Sequence, residues 1–197
     1  MSEQVQKERV RTSLLDRRRR ITKARYRAKS EIIRERLTDM PEFQDARTVH
    51  CYVSMNDRGE PDTHPLLREM LDAGRRVVVP VTDFDSGTLR HVELTSLEEL
   101  RPNKWGVEEP EEGEEVPLPE LDFIVVPMVG GDRQCNRLGY GKGFYDRFLE
   151  RTDCFRVGLL FEECYVNELP ADPFDVPMDA IVTDRQLVRR PAAPPRH

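Results

Sequence analysis

The sequence has no long hydrophobic run. Nothing in its 197 residues approaches the length needed to cross a bilayer. The opening stretch, MSEQVQKERVRTSLLDRRRR, has no apolar signal core, which sets the expectation of a soluble cytoplasmic protein. Cysteine is scarce. Cys51, Cys135, Cys154 and Cys164 form no C-x-x-C pair and no zinc-type spacing, so they read as free thiols in a reducing compartment. The four histidines show no clustering that suggests a triad or a zinc site, and there is no internal repeat. The standard nucleotide loops are missing too. A Walker loop needs Gly-Lys-Ser/Thr, but here Gly143 follows Lys142; the dinucleotide fingerprint needs G-x-G-x-x-G, but here the spacing is G-x-G-x-G.

Charge is abundant, at 35% of residues against 38% hydrophobic, and the net charge is −6. That balance argues against a chain that coats nucleic acid over its whole length. Enough Val, Ile and Leu remain for the core of one domain, or of a domain with a small appendage. The charge is uneven. Residues 1–40 hold 13 basic and 6 acidic residues, a local +7, which leaves −13 for the rest. A basic arm on an acidic body reads either as an anion or nucleic-acid grip or as a solvated helix face.

Val5, Val10, Leu14 and Ile21 recur at roughly helical spacing. Thr22 is placed to cap a second helix, with Ile21 and Tyr26 at staple positions and Met40-Pro41 as its end. The run 48–54 (TVHCYVS) predicts a short strand, and 63–73 a helix with Leu66, Leu67, Met70 and Leu71 on one face and Gly74 as its stop. Residues 75–81, 122–129, 155–161 and 178–184 read as buried strands, because their apolar runs do not alternate. Residues 88–94 alternate, as a strand with one wet face does. An acidic, proline-bearing stretch, 111–120, predicts a surface loop, 143–151 a helix, and the tail RRPAAPPRH disorder. Strands alternating with helices predict an α/β domain around a mainly parallel sheet. Ligands gather beyond the carboxyl ends of strands in such sheets, which places VSMNDRGEPD and the loop after residue 129 on the functional edge.

That loop contains NRLGYGKGFYDRFL, Asn136 to Leu149. Three glycines permit close backbone approach and positive φ, and Arg137 and Lys142 add positive charge. The helix that follows adds its positive end. Two readings stand at this point: a phosphate cradle, or a structural glycine turn. Asp146 would repel phosphate unless a cation intervenes, and Mg²⁺ takes carboxylate and phosphate oxygens together. The other reading of Asp146 is a salt bridge to Lys142 or Arg147, or a favourable charge near a helix N-terminus.

The whole string resembles the signature of the 5-formyltetrahydrofolate cyclo-ligase (methenyltetrahydrofolate synthetase) family. KERVR resembles the family's Lys-x-x-Leu-Arg element, with Val10 in place of leucine. GEPDT, NKWGVEEP, DFIVVPMV and DVPMDAIVTD are similar to later family segments in the same order, from about Lys7 to Asp184. Tyr140 stands where some members carry arginine. The resemblance implies a three-layer αβα, Rossmann-like fold with a mainly parallel sheet, similar to the NagB/RpiA/CoA-transferase-like fold. It also implies one cyclo-ligase domain over 1–190, with the basic segment 1–40 packed on the body and a disordered tail, 191–197. The implied reaction closes 5-formyltetrahydrofolate to the 5,10-methenyl compound, with ATP as co-substrate and Mg²⁺ as cofactor. Small-molecule substrates, a monomer, and no nucleic-acid or membrane partner are expected.

By the same resemblance, Lys7, Arg11, Arg137, Leu138, Gly139, Tyr140, Gly141, Lys142, Gly143, Phe144 and Tyr145 bind ATP. Lys142, Arg137 and Asp146 carry the chemistry, and Asp146 and Asp179 hold the metal, with Asp179 equally readable as a strand-end turn residue. Val53, Met55, Glu60, Trp105, Tyr140, Phe144 and Tyr145 face the folate. Trp105 has two readings, a stacking platform and a core anchor. Three competing readings remain: an ATP-dependent enzyme for another N-formyl compound, a nucleotide- or RNA-binding module carried by DRRRRITKARYRAK, and a structural protein that only keeps the fold.

Overall fold

Apolar runs without alternation need cover on both faces, and these strands have it. A computed structural model describes residues 3–170, 172 and 175–191. In chain order the elements are α1 (Glu3–Arg19), α2 (Lys23–Thr38), α3 (Pro41–Asp45), β1 (Thr48–Cys51), α4 (His64–Asp72), β2 (Arg76–Asp83), β3 (Thr88–Leu94), β4 (Leu100–Pro102), β5 (Glu108–Pro110), β6 (Phe123–Pro127), β7 (Gly130–Gly131), β8 (Arg137–Leu138), α5 (Phe144–Leu149), β9 (Phe155–Leu159), β10 (Ala180–Val182) and β11 (Leu187–Arg189). The central sheet runs β11-β10-β9-β6-β1-β2-β3. Strands β10, β9, β6, β1 and β2 are parallel to their neighbours, and antiparallel β11 and β3 close the two edges.

Strand pleating divides the core in two. Val49, Cys51, Val77, Val79, Phe123 and Val125 face one side, against Ile33 and Leu37 of α2, Phe43 of α3 and Leu67 of α4. Val78, Ile124, Val126 and Ile181 face the other, against Leu14 of α1 and Phe148 and Leu149 of α5. Each such side chain contributes about 1.5–3 kcal/mol by leaving water. Helices on both faces of a mainly parallel sheet make this an α/β fold of three layers, as expected.

Local signals explain the helix ends. The Thr22 hydroxyl accepts from the Arg25 N–H at 3.5 Å, and both Ile21 and Tyr26 pack on the core beneath it. After α4, Gly74 takes φ +68°, a conformation that side chains with a Cβ rarely adopt. The expected strand over 48–54 ends at Cys51, because Tyr52, Val53 and Ser54 turn away. Ser54 and Thr63 then bond each other's backbone N–H at 3.0 Å, closing the neck of a loop that carries Glu60. Within the acidic stretch 111–120, Val116 is buried rather than on the surface. Strands β4, β5 and β11 and helix α3 were not expected; three to five residues are too few to show a period. His50 and His91 do meet, 3.2 Å apart beneath Phe148, but as a buried packing pair. Of the tail RRPAAPPRH, expected to be disordered, Arg189 to Pro191 lie within the described residues, and Arg189 is not disordered: it ends β11 and pairs with Glu42 at 2.5 Å.

Candidate active site

A cavity of about 360 Å³ opens beyond the carboxyl ends of three parallel strands. Tyr52 and Val53 follow β1, Pro80 and Thr82 belong to β2, and Pro127 ends β6. The glycine loop, Gly139 to Gly143, forms one wall. Opposite it, the β4–β5 hairpin brings Trp105 to the mouth. Met55, Leu89, Val107 and Phe144 make much of the lining apolar, and the polar groups concentrate at two ends.

The first end is cationic. Gly141 and Gly143 take φ +83° and +72°, so the loop bends where a side chain would be strained. What lies close to it is arginine. A Cβ on Gly139 would meet the Arg137 guanidinium at 2.6 Å, one on Gly141 the Arg11 guanidinium at 3.1 Å, and one on Gly143 that of Arg147 at 2.7 Å. Arg11 also donates from Nε to the Gly139 carbonyl at 2.8 Å, tying α1 to the loop from outside the cavity. Lys142 is exposed on the cavity wall and makes no ion pair among the described residues. Asp146 lines the cavity and pairs with Arg137, not with Lys142 or Arg147. The Arg137 side chain is almost fully buried, and its Nε has no partner. Helix α5 is only six residues long, so side-chain cations dominate this end rather than a helix terminus.

The second end is built around Glu60, which is 2% exposed. Its Oε2 accepts from the Met55 N–H at 2.7 Å and its Oε1 from the Tyr140 hydroxyl at 2.5 Å. Tyr140 in turn accepts from Arg18 Nη2 at 2.6 Å, while Arg18 Nη1 donates to the Met128 carbonyl at 3.2 Å. Burial pushes the Glu60 carboxyl up from its ordinary pKa, and the hydrogen bonds from Tyr140 and Met55 oppose that shift. Burial likewise pushes the Tyr140 phenol well up, so it stays a donor.

The hairpin is anchored by two carboxylates that also line the cavity. Glu109 accepts from the N–H and hydroxyl of Thr82 at 2.9 and 2.6 Å. Glu108 meets His64 Nε2 at 2.8 Å, and Asp62 meets His64 Nδ1 at 3.1 Å. The bond to Asp62 is the main cause of a raised His64 pKa. Trp105 is 43% exposed and packs edge-on against Phe84 and Phe144, with centroids 4.5 and 5.9 Å away. It is a rim residue, not the core anchor that one reading of it allowed.

The structure therefore gathers Val53, Met55, Glu60, Trp105, Arg137, Gly139, Tyr140, Gly141, Lys142, Gly143, Phe144, Tyr145 and Asp146 around one cavity. It leaves four expected residues outside, one of them Arg11, which grips the glycine loop from behind. Leu138 points into the core. Lys7 pairs with Asp172 and Asp175, at 3.3 and 2.5 Å. Asp179 sits where β10 begins, at the opposite edge of the sheet, and its carboxylate accepts from the Arg156 N–H at 2.8 Å. Asp179 does not line the cavity that Asp146 lines, and its contact with Arg156 matches its other reading, a residue at a strand end. Among the described residues no group of three or more His, Cys, Asp or Glu side chains is arranged to hold a metal. A single carboxylate with waters and phosphate oxygens is nevertheless an ordinary Mg²⁺ environment, and Asp146 fits it. The sequence reading missed Arg18, Arg58, Glu108 and Glu109. For Arg18 a signal existed, because it lies four residues after the buried Leu14 on the same face of α1.

Residues 3–184 match the model of the 5-formyltetrahydrofolate cyclo-ligase family. A 5-formyltetrahydrofolate cyclo-ligase of Escherichia coli is 33% identical over 177 residues, covering 87% of this chain and 96% of that one. One from Mus musculus is 28% identical, covering 88% and 91%. The solution structure of a 5,10-methenyltetrahydrofolate synthetase from Aquifex aeolicus superposes with a TM-score of 0.84 at 32% identity, covering 97% of this chain and 96% of that chain. No helix among the described residues is long and apolar enough to cross a membrane.

Proposed function

Because the chain belongs to the 5-formyltetrahydrofolate cyclo-ligase family, we propose that it closes 5-formyltetrahydrofolate to 5,10-methenyltetrahydrofolate at the expense of ATP. The observation that carries this reading is one cavity lined both by the cationic glycine loop and by a buried carboxylate, Glu60. The terminal phosphates of ATP lie against the glycine loop, where Lys142, Arg137 and Arg147 supply positive charge. Asp146 would hold Mg²⁺, which lowers the net charge of the triphosphate. The pterin edge, a row of N–H donors, meets Glu60, and Trp105 and Phe144 flank its flat rings.

In this arrangement the formyl oxygen attacks the γ-phosphorus, the bond to the β-phosphate bridge oxygen breaks, and ADP leaves. The formyl carbon then carries a phosphate ester in place of a poor leaving oxygen. N10 attacks that carbon, the C–O bond to the phosphate breaks, and the N10 proton leaves with the inorganic phosphate. The protein forms no covalent bond; it positions two substrates and neutralises charge. Arg11 holds the loop from behind, and Lys7 ties α1 to Asp172 and Asp175. The proposal treats the chain to residue 190 as one working unit, a monomer in a reducing cytoplasm, in keeping with its four free cysteines.

The test mixes the protein with MgATP and 5-formyltetrahydrofolate and follows the methenyl chromophore. Its appearance together with equimolar ADP supports the proposal. A flat trace from folded protein overturns it, and ATP turnover with a different N-formyl amine would reassign the substrate.

A further inference from the structure

Four arginines follow one another in α1 and the turn after it, at positions 17 to 20, yet only Arg18 turns inward. It is 3% exposed and meets no carboxylate directly. Burying a guanidinium with no carboxylate directly against it is unfavourable. A purely structural anchor for α1 needs no charge there, since Leu14 and Val10 already pack that face. Of the Arg18 donors, Nη1 reaches the Met128 carbonyl and Nε reaches nothing. The remaining contact is with the Tyr140 hydroxyl, whose own proton goes to Glu60.

We propose that Arg18 is a positioning residue for the folate end of the site: acting through the Tyr140 hydroxyl, it holds the Glu60 carboxylate fixed and aimed into the cavity. The chain Arg18–Tyr140–Glu60 ties α1 to the two segments that line the cavity here, the glycine loop and the loop closed by Ser54 and Thr63. Arg58 is the other cation near Glu60, 5.7 Å from the Tyr140 ring, but it is exposed and water screens it. Tyr26, Tyr52 and Tyr145 also face Glu60, and burial raises the pKa of each, which keeps them neutral. Arg18 is thus the buried full positive charge that balances the Glu60 carboxylate.

This inference rests on the folate reading only for its kinetic arm. Its first test is independent of activity: the ¹³C titration of the Glu60 carboxyl, assigned by the signal that Glu60→Gln removes. Arg18→Met is expected to move that midpoint up by about one unit or more, and Arg18→Lys by less. In the kinetic arm, Arg18→Met raises the folate KM about tenfold while the ATP KM stays within about twofold. The acid limb of kcat/KM moves up with the carboxyl, and Arg18→Lys restores part of both. An unchanged Glu60 midpoint, or folate and ATP KM values rising in parallel, overturns the proposal. If Arg18→Met does not fold, Tyr140→Phe leaves both charges in place and cuts the bridge, and the same two readouts decide. A wild-type protein that makes no methenyl product refutes the substrate assignment, while the carboxyl titration still judges the relay.

Discussion

At the glycine loop Lys142 stands exposed, with no ion pair among the described residues, and three guanidiniums crowd one bend; elsewhere in the lining of the same cavity, both oxygens of a buried Glu60 already accept bonds from the protein. The cationic end carries more charge than the chain itself neutralises, since Asp146 meets only Arg137. The carboxylate end is satisfied internally and shaped in advance. The contrast follows from the two ligands proposed. A triphosphate brings its own charge and a metal ion, so its site needs unsatisfied cations. A neutral heterocycle brings only directional N–H groups, so its acceptor must already be oriented before it arrives.

The comparison breaks most sharply at Lys142 and Asp146. Lys142→Met removes the free cation and should lower kcat about 100- to 1000-fold, the scale for losing one preorganised charge at a phosphoryl transition state. Asp146→Asn leaves Arg137 facing a neutral amide and should remove most turnover with the fold intact. Steady-state kinetics beside thermal unfolding check both, and near-wild-type rates for either would end the phosphate assignment. At the other end, Glu60→Gln is nearly isosteric but takes away the charge. The expected outcome is a folate KM raised about 10- to 100-fold with the ATP KM unchanged. Equal losses for the two substrates would mean that the ends are not separate.

How far each end was legible in the sequence differs for a physical reason. The glycine loop is contiguous: strand, bend and helix lie within residues 123–149, so spacing alone brought a phosphate cradle forward as one of two readings. That the glycines make room for Arg11, Arg137 and Arg147 was not legible, because Arg11 arrives from 130 residues upstream of Gly141. The resemblance supplied Lys7 as a nucleotide ligand, whereas its partners Asp172 and Asp175 lie at the other end of the chain. Glu60 was legible only through the resemblance, since a lone loop carboxylate has no periodicity. The hairpin of β4 and β5 hid within charged residues; Glu108 and Glu109 read as solvated until Thr82 and His64 were placed beside them. The sheet was the easiest part, because a strand buried on both faces shows itself as an unbroken apolar run.

Trp105 lines the same cavity, and a smaller effect is expected there. Its indole is partly exposed at the mouth of the cavity and meets Phe84 and Phe144 in T-shaped contacts. Trp105→Ala should raise the folate KM about fivefold to tenfold, the scale of one aromatic stacking contact, with little change in kcat. Folate-dependent quenching of this single tryptophan in the wild type provides a second readout. No quenching, together with an unchanged KM, would leave the indole as a lid with no ligand contact.

The smallest effect concerns the hairpin that carries Trp105. His64 links Asp62 to Glu108, and these bonds hold its pKa above the ordinary value of about 6.5. A raised folded-state pKa means that the link is fully present below the unfolded value and is lost as pH rises through the folded one. Neutral His64 has one N–H and two acceptors to serve, so one carboxylate is released. Asp62 keeps the Ser54 hydroxyl and the His64 backbone N–H, whereas Glu108 has no other bond among the described residues, so the hairpin is what loosens. Partly exposed pairs of this kind contribute less than about 1 kcal/mol, so the folate KM should rise about two- to threefold across that pH range. The ATP KM should not follow, because the glycine loop is anchored elsewhere, by Arg11. In His64→Asn the step should vanish while the higher KM persists at every pH. A step of the same size in that variant would assign the titration to another group and uncouple the hairpin from folate binding.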